Sequence, residues 1–103
     1  MKTEMLNEIL EVVSNVCEVS REELLSHCKR EDVIDARCIF IHHCMTYGFK
    51  KQVLADFLDR KRRCVIDAYI RNYPYFYKQS YLFRLYDQQI SDKLSGKYPV
   101  SLS

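Results

Sequence analysis

The sequence predicts a single all-α domain, residues 1–103, built as a small bundle of about six helices. Its 48% hydrophobic and 29% charged residues, in a chain of 103, supply apolar surface for one core but little for a second. Only 2 Gly and 2 Pro are present, whereas hairpins and phosphate-binding loops need residues that tolerate positive φ. Apolar side chains also recur at steps of three and four, the spacing of amphipathic helices.

Two helices are predicted in the first third of the chain. Residues 4–17 form the first, whose apolar stripe is Met5, Leu6, Ile9, Leu10, Val12, Val13 and Val16. Ser20 and Glu23 have the spacing of a capping box, with Val19 and Leu24 as the accompanying hydrophobic staple. A short second helix is therefore expected at about 21–27.

The third helix is predicted over Val33 to Tyr47, between two local signals. Asp32 is a suitable N-cap because its carboxylate accepts hydrogen bonds from free backbone N–H groups. Gly48 tolerates the left-handed conformation that commonly ends a helix, so we expect the helix to stop there.

Three helices are predicted in the second half of the chain. The fourth covers residues 50–58, with Val53, Leu54, Phe57 and Leu58 facing inward. Asp59 caps a fifth helix from Arg60 to about Tyr73, and Pro74 is expected to end it. Its apolar face is Val65, Ile66, Tyr69, Ile70 and Tyr73. The last helix, about 76–94, is expected to pack through Phe83, Tyr86, Ile90 and Leu94.

The fourth and fifth helices have the layout of a helix-turn-helix, at about 50–72. The fifth opens with four cations, Arg60, Lys61, Arg62 and Arg63. Positive charge at a helix N-terminus costs about 0.3–1 kcal/mol per residue, whereas a phosphate there is stabilised by the helix dipole and free N–H groups. A solvated charge run is the alternative interpretation on spacing alone.

A helical projection places Arg60, Cys64, Asp67 and Arg71 opposite the apolar face, with Lys61 and Arg63 on the flanks. The predicted outer face is therefore basic, apart from Asp67. That carboxylate is expected either to accept from a cytosine amino group or to neutralise Arg63 or Arg71.

From about Ile9 to Ala68 the chain resembles the C-terminal DNA-binding domain (domain IV) of the bacterial replication initiator DnaA, a helix-turn-helix of the Trp-repressor-like type. The resemblance is carried by Ser20 to Ser26 with Asp35-Ala36-Arg37, and by Leu54 to Leu58 leading into Val65-Ile66-Asp67-Ala68. It implies binding of double-stranded DNA, with a role in DNA replication initiation or its regulation.

Where the family's signature reads Gly, Arg, Asp, His, Thr, Thr, this chain has Asp59 to Cys64, and only Arg60 matches. Long cations in place of base-reading residues predict a shifted or relaxed site specificity. The resemblance also implies that Lys29 lies at the family's minor-groove loop and that Arg37 meets the phosphate backbone. For Arg37, an ion pair with Asp35 or Asp32 is the structural alternative.

The predicted interface consists of the basic run, Arg60 to Arg63, with Asp67 and a set of supporting phosphate contacts. Those contacts are Lys29, Arg30, Arg37, Lys50 and Lys51. The competing hypothesis is a helical protein-interaction module, or a homodimer, that uses the tyrosine-rich C-terminal region.

No enzymatic activity, cofactor or metal is expected. The chain has no GxxxxGK[ST] loop for an ATPase, and Cys38 with His42 supplies only two ligands at i, i+4 spacing. The five cysteines are expected to be reduced thiols, and no apolar stretch is long enough for a membrane span. A cytoplasmic protein is therefore expected.

Overall fold

A computed structural model describes residues 2–58 and 63–97, and the side chains of residues 4–58 and 65–97. Within these ranges the secondary structure is entirely helical, which confirms the predicted all-α bundle of six helices. The helices are α1 Lys2–Cys17, α2 Arg21–Leu25, α3 Glu31–Thr46, α4 Lys51–Phe57, α5 Arg63–Gln79 and α6 Tyr81–Lys97.

Helix α3 lies at the centre of the bundle. Its buried side chains occupy every side of the helix rather than one stripe, as expected for a helix surrounded by protein. They are Val33, Ala36, Arg37, Cys38, Ile39, Phe40, Ile41, His43 and Cys44. The other five helices all pack against α3 or against a helix that does, with α1 and α5 making the most extensive contacts.

The predicted capping box is confirmed at the start of α2. Ser20 Oγ accepts a hydrogen bond from Glu23 N, and Glu23 Oε1 accepts one from Ser20 N, both at 3.0 Å. Val19 and Leu24 are buried in the core, as a hydrophobic staple requires. Helix α2 ends at Leu25, two residues earlier than predicted.

The start of α3 differs from the prediction. The helix begins at Glu31, and its N-cap is Arg30, which makes no side-chain capping hydrogen bond. Asp32 therefore lies inside the first turn, where Asp32 Oδ1 accepts from Val33 N at 2.9 Å. The predicted end is confirmed, since α3 stops at Thr46 and Gly48 has a φ of 94°.

The predicted inward face of α4 is confirmed except at Val53, and Phe57 is partly buried against the core as expected. Leu54 and Leu58 are buried as expected, but Val53 is 37% exposed and Ala55 is buried instead. Leu54 and Leu58 lie one turn apart, and Ala55 lies next to Leu54 on the same buried side of the short helix.

Pro74 does not end α5, which continues to Gln79. Proline has no N–H to donate to the carbonyl of Ile70, but tertiary contacts on both sides hold the helix together. Tyr73 and Phe76 pack against the core, with their ring centroids 5.5 Å and 5.9 Å from that of Phe83. The predicted end of the fifth helix at Tyr73 is therefore wrong.

Helix α6 begins at Tyr81 rather than near residue 76. Ser80 separates it from α5, and Ser80 Oγ accepts from Phe83 N at 3.1 Å, as an N-cap does. The predicted inward face is confirmed, because Phe83, Ile90 and Leu94 are buried and Tyr86 packs against them. Helix α6 lies against α1, α5 and α3.

Candidate nucleic-acid interface

Helices α4 and α5 form the predicted helix pair, and both are fixed to the core by apolar contacts. Leu54 and Leu58 of α4 and Ile66 of α5 are fully buried. Tyr69 and Ile70 continue the inward face of α5 as partly buried residues packed against the core. The opposite side of α5 is consequently left at the surface.

The predicted basic run lies largely outside the described residues. Arg60, Lys61 and Arg62 belong to the segment between α4 and α5 that the structure does not describe, together with the predicted cap Asp59. Arg63 is the first residue of α5, but its side chain also lies outside the described part. The sequence therefore fixes the place of this run, directly before and at the start of a 17-residue helix.

Lys51 and Asp67 form an ion pair between the two helices. Lys51 Nζ lies 2.7 Å from Asp67 Oδ1, and each side chain is 43% exposed. The sequence analysis did not predict this partner of Asp67, which comes from α4. Lys50, at the N-cap of α4, is exposed.

The loop before α3 provides less positive charge than the sequence suggests. Arg30 Nη2 lies 2.6 Å from Glu23 Oε2, and Arg30 Nε lies 2.8 Å from Asp32 Oδ1. Two carboxylates therefore compensate the charge of Arg30 locally. Lys29 is exposed and makes no ion pair with the described residues.

Arg37 is a structural residue, and its predicted phosphate contact is wrong. The residue is 2% exposed. Its guanidinium donates to four backbone carbonyls and to the hydroxyl oxygen of Tyr69, at 2.8–3.2 Å. The carbonyls belong to Glu23, Leu24, Ser26 and Cys28.

These four carbonyls lie at the C-terminal end of α2 and in the segment that follows it. The last carbonyls of a helix have no intrahelical donors, and the negative end of the dipole favours a cation there. Arg37, which belongs to the central helix α3, therefore caps the C-terminal end of α2. The predicted alternative, an ion pair with Asp35 or Asp32, is also not formed, since the donors of Arg37 are used in these other contacts.

The outer face of α5 carries Arg71, which is exposed four residues after Asp67. The sequence places Arg71 on this face by helical projection, and its exposure agrees with that placement. Beyond the ion pair of Lys51 with Asp67, the described outer face of α5 therefore offers a further cation, about two helical turns after Arg63.

A buried polar network joins α3, α5 and α6. His43 Nε2 lies 2.8 Å from Asp87 Oδ1, and the Tyr73 hydroxyl donates to Asp87 Oδ2 at 2.8 Å. The His42 ring stacks on the Tyr73 ring with centroids 3.7 Å apart. The sequence gives only a histidine on an apolar helix, so its acidic partner 44 positions later was not predicted.

The network changes the pKa of its members in directions that follow from their surroundings. Burial alone raises the pKa of Asp87, but the hydrogen bonds from His43 and Tyr73 outweigh it and hold that pKa below its usual value. Burial, followed by the neighbouring His43, lowers the pKa of His42. Burial and the hydrogen bond to Asp87 raise the pKa of Tyr73. The network therefore holds α3, α5 and α6 together through the carboxylate of Asp87, which is ionised at neutral pH.

The paired histidine and cysteine on α3 have packing roles. Cys38 Sγ donates to the carbonyl of Tyr69 at 3.3 Å, while His42 is stacked on Tyr73. Burial raises the pKa of Cys17 and Cys38 to about 12, which keeps both thiols protonated. Among the side chains that the structure describes, no three His, Cys, Asp or Glu residues are grouped to hold a metal ion.

No helix in residues 2–58 and 63–97 has the length and apolar character needed to cross a membrane.

Comparison of the chain with known proteins found no similarity. No family model matches the sequence, no curated protein matches it, and no solved structure matches it.

Proposed function

We propose that this protein binds double-stranded DNA, with α5 entering the major groove and the basic run Arg60 to Arg63 meeting the phosphates. The observation that carries the proposal is the position of this run. Four consecutive cations lead into a long helix whose inner face is buried and whose outer face is at the surface. A preceding short helix packs against α5, as in a helix-turn-helix.

Electrostatics supports an anionic partner at this end of α5. Cations at a helix N-terminus are unfavourable by about 0.3–1 kcal/mol each when nothing compensates them. A bound phosphate makes this arrangement favourable, because it interacts with the cations, the free N–H groups and the helix dipole together. A sequence under selection for stability alone gains nothing from four cations at this point.

The contacts that we propose differ from those predicted from sequence alone. Arg60, Lys61, Arg62 and Arg63 form the centre, and Lys50 and Arg71 are the exposed cations beside it. Arg37 is removed from the interface because it is buried. Lys51 and Asp67 pair with each other, and Arg30 pairs with Glu23 and Asp32, so these groups add little net charge.

An interface made mainly of long cations depends more on phosphate than on base edges. We therefore propose relaxed specificity relative to the DnaA family that the sequence resembles, with a role in replication initiation or its regulation in the cytoplasm. Binding should weaken steeply with salt, because each neutralised phosphate releases condensed counterions.

The test is fluorescence anisotropy with two labelled duplexes, one carrying the initiator box and one scrambled, at several salt concentrations. A variant with Arg60, Lys61 and Arg63 all changed to Ala should lose most of the salt-dependent affinity. The matched control changes Lys78, Lys93 and Lys97 to Ala, which removes the same charge from exposed positions on α5 and α6. If both variants lose affinity equally, net charge rather than the basic run binds DNA.

The second candidate function is a protein-interaction module, and exposed aromatic residues favour it. Tyr75 and Tyr81 are 61% and 72% exposed, and Leu82 and Leu85 of α6 also lie at the surface. Tyrosine is enriched at protein interfaces. Absence of binding to either duplex at low salt would exclude the DNA proposal and leave this one.

A further inference from the structure

A groove of about 660 Å³ lies between the start of α3 and the junction of α5 with α6. This volume is in the range of sites that hold a small molecule or a group of similar size. One side is formed by Ile34, Asp35 and their neighbours, and the other by aromatic residues of α5 and α6. The lining residues are Lys29, Glu31, Ile34, Asp35, Tyr75, Phe76, Gln79, Ser80 and Tyr81.

Asp35 is the unusual group in this groove. Its carboxylate is half-buried and makes no hydrogen bond or ion pair with the described part of the chain. Burial, with repulsion from Glu31 and Asp32, raises the pKa of Asp35 to about 6. At neutral pH the groove therefore holds a partly desolvated negative charge that forms no ion pair with the described residues.

The other charged groups around Asp35 do not neutralise it. Arg30 is committed to Glu23 and Asp32, at 2.6 Å and 2.8 Å. Lys29 lines the groove, but lies beyond ion-pair distance of both Asp35 and Glu31. Two carboxylates, on Asp35 and Glu31, consequently face one cation.

The tyrosine rings on the α5 and α6 side of the groove can also attract a cation. Tyr75 and Tyr81 are the two most exposed large apolar side chains of the described residues. The negative face of a tyrosine ring attracts ammonium and guanidinium groups. Tyr81 already has one such contact, since Arg84 Cζ lies 5.9 Å from its ring centroid.

We propose that this groove binds an arginine or lysine side chain presented by a segment of a partner protein. The cationic head pairs with Asp35, its alkyl stem lies along Ile34, and the tyrosine rings Tyr75 and Tyr81 flank it. Gln79 and Ser80 offer polar groups to the backbone of the bound segment. The groove lies at the C-terminal end of α5, whereas in sequence the basic run leads into the N-terminal end of that helix, so this proposal does not depend on DNA binding.

The test is an NMR titration of the full chain, isotopically labelled, with a Gly-Ser-Arg-Ser-Gly peptide. The control peptide carries citrulline, which has the shape of arginine without its charge. We expect the arginine peptide to shift the amide signals of the groove, with a Kd on the order of 1 mM, and the citrulline peptide to leave them unchanged. Equal shifts with both peptides, or none with either, would overturn the proposal.

Variants connect the binding to the named residues. Asp35→Asn should lower the affinity for the arginine peptide at least about tenfold, and Tyr81→Ala should lower it by less. The matched control is Asp92→Asn, an exposed carboxylate of α6 outside the groove that accepts from Gln88. Lowering the pH through about 6 should also weaken binding to the unsubstituted protein, because Asp35 is then protonated.

We expect Asp35→Asn to remain folded, and circular dichroism of the variant checks this. Because the folded protein disfavours the charged form of Asp35, the neutral asparagine should make the protein at least as stable at neutral pH. The same variant should bind duplex DNA like the unsubstituted protein, which separates this proposal from the previous one. If the protein self-associates without peptide and Asp35→Asn prevents it, the occupant is a second copy and not a partner.

Discussion

Replacing Arg37 with Ala should destabilise the protein strongly without removing a DNA contact. The substitution takes away five hydrogen bonds from a residue that is 2% exposed. The carbonyl of Glu23 keeps donors from Ser26, but those of Leu24, Ser26 and Cys28 lose the guanidinium.

The magnitude follows from the carbonyls left behind. An unsatisfied buried acceptor costs about 1–3 kcal/mol, and water entering at the end of α2 relieves part of that cost. We expect a loss of about 3–5 kcal/mol in the free energy of unfolding. For a domain of this size the melting temperature should fall by about 15–30 °C.

Urea unfolding followed by circular dichroism measures the loss, and anisotropy at a temperature where the variant is folded measures DNA affinity. Arg71→Ala, an exposed arginine on α5, is the control and should change stability by about 0.5 kcal/mol or less. Arg37→Lys should recover only part of the loss, because an ammonium group cannot reach all five acceptors. The reasoning is refuted if Arg37→Ala unfolds at the urea concentration of the unsubstituted protein while its DNA affinity collapses.

Three further experiments test other parts of the structure. Asp87→Asn should cost about 1.5–3 kcal/mol at neutral pH, measured by urea unfolding. The pKa of Asp87 is lower in the folded protein than in the unfolded chain, so its carboxylate stabilises the fold above the unfolded pKa and this stabilisation is lost as the pH falls. The difference in free energy of unfolding between the two proteins should therefore shrink in acid. A difference that stays constant with pH would contradict this. Pro74→Ala should raise the melting temperature, because alanine restores the N–H donor to Ile70 inside an exposed part of α5; an unchanged or lower value would count against it. Leu54→Ala should cost about 2–5 kcal/mol and Val53→Ala far less, and equal losses would show that α4 has the inward face predicted from sequence.

The helical architecture was predictable because its signals are local. The capping box at Ser20 and the stop at Gly48 each depend on a few neighbouring residues. The period of three and four residues likewise placed the buried faces of α1, α5 and α6. These features give the order of the helices and most of their bounds.

The errors arose where distant contacts outweigh local preference. Pro74 ends a helix in isolation, but Tyr73 and Phe76 hold α5 through contacts with a different helix. The predicted role of Arg37 was wrong because its acceptors are backbone carbonyls 9 to 14 residues earlier, which carry no sequence signal. For the candidate DNA interface, the residues of the basic run lie outside the described part, and their role stays a prediction.

Two tyrosines one turn apart fix the rotation of α5 about its axis. Tyr69 accepts from Arg37 through its hydroxyl, and Tyr73 donates to Asp87. Because the inner side sets this orientation, we expect substitutions of outward residues such as Arg71 to leave the packing of the helix unchanged. A lineage carrying this fold can therefore exchange the outward residues of α5 while the bundle beneath stays the same.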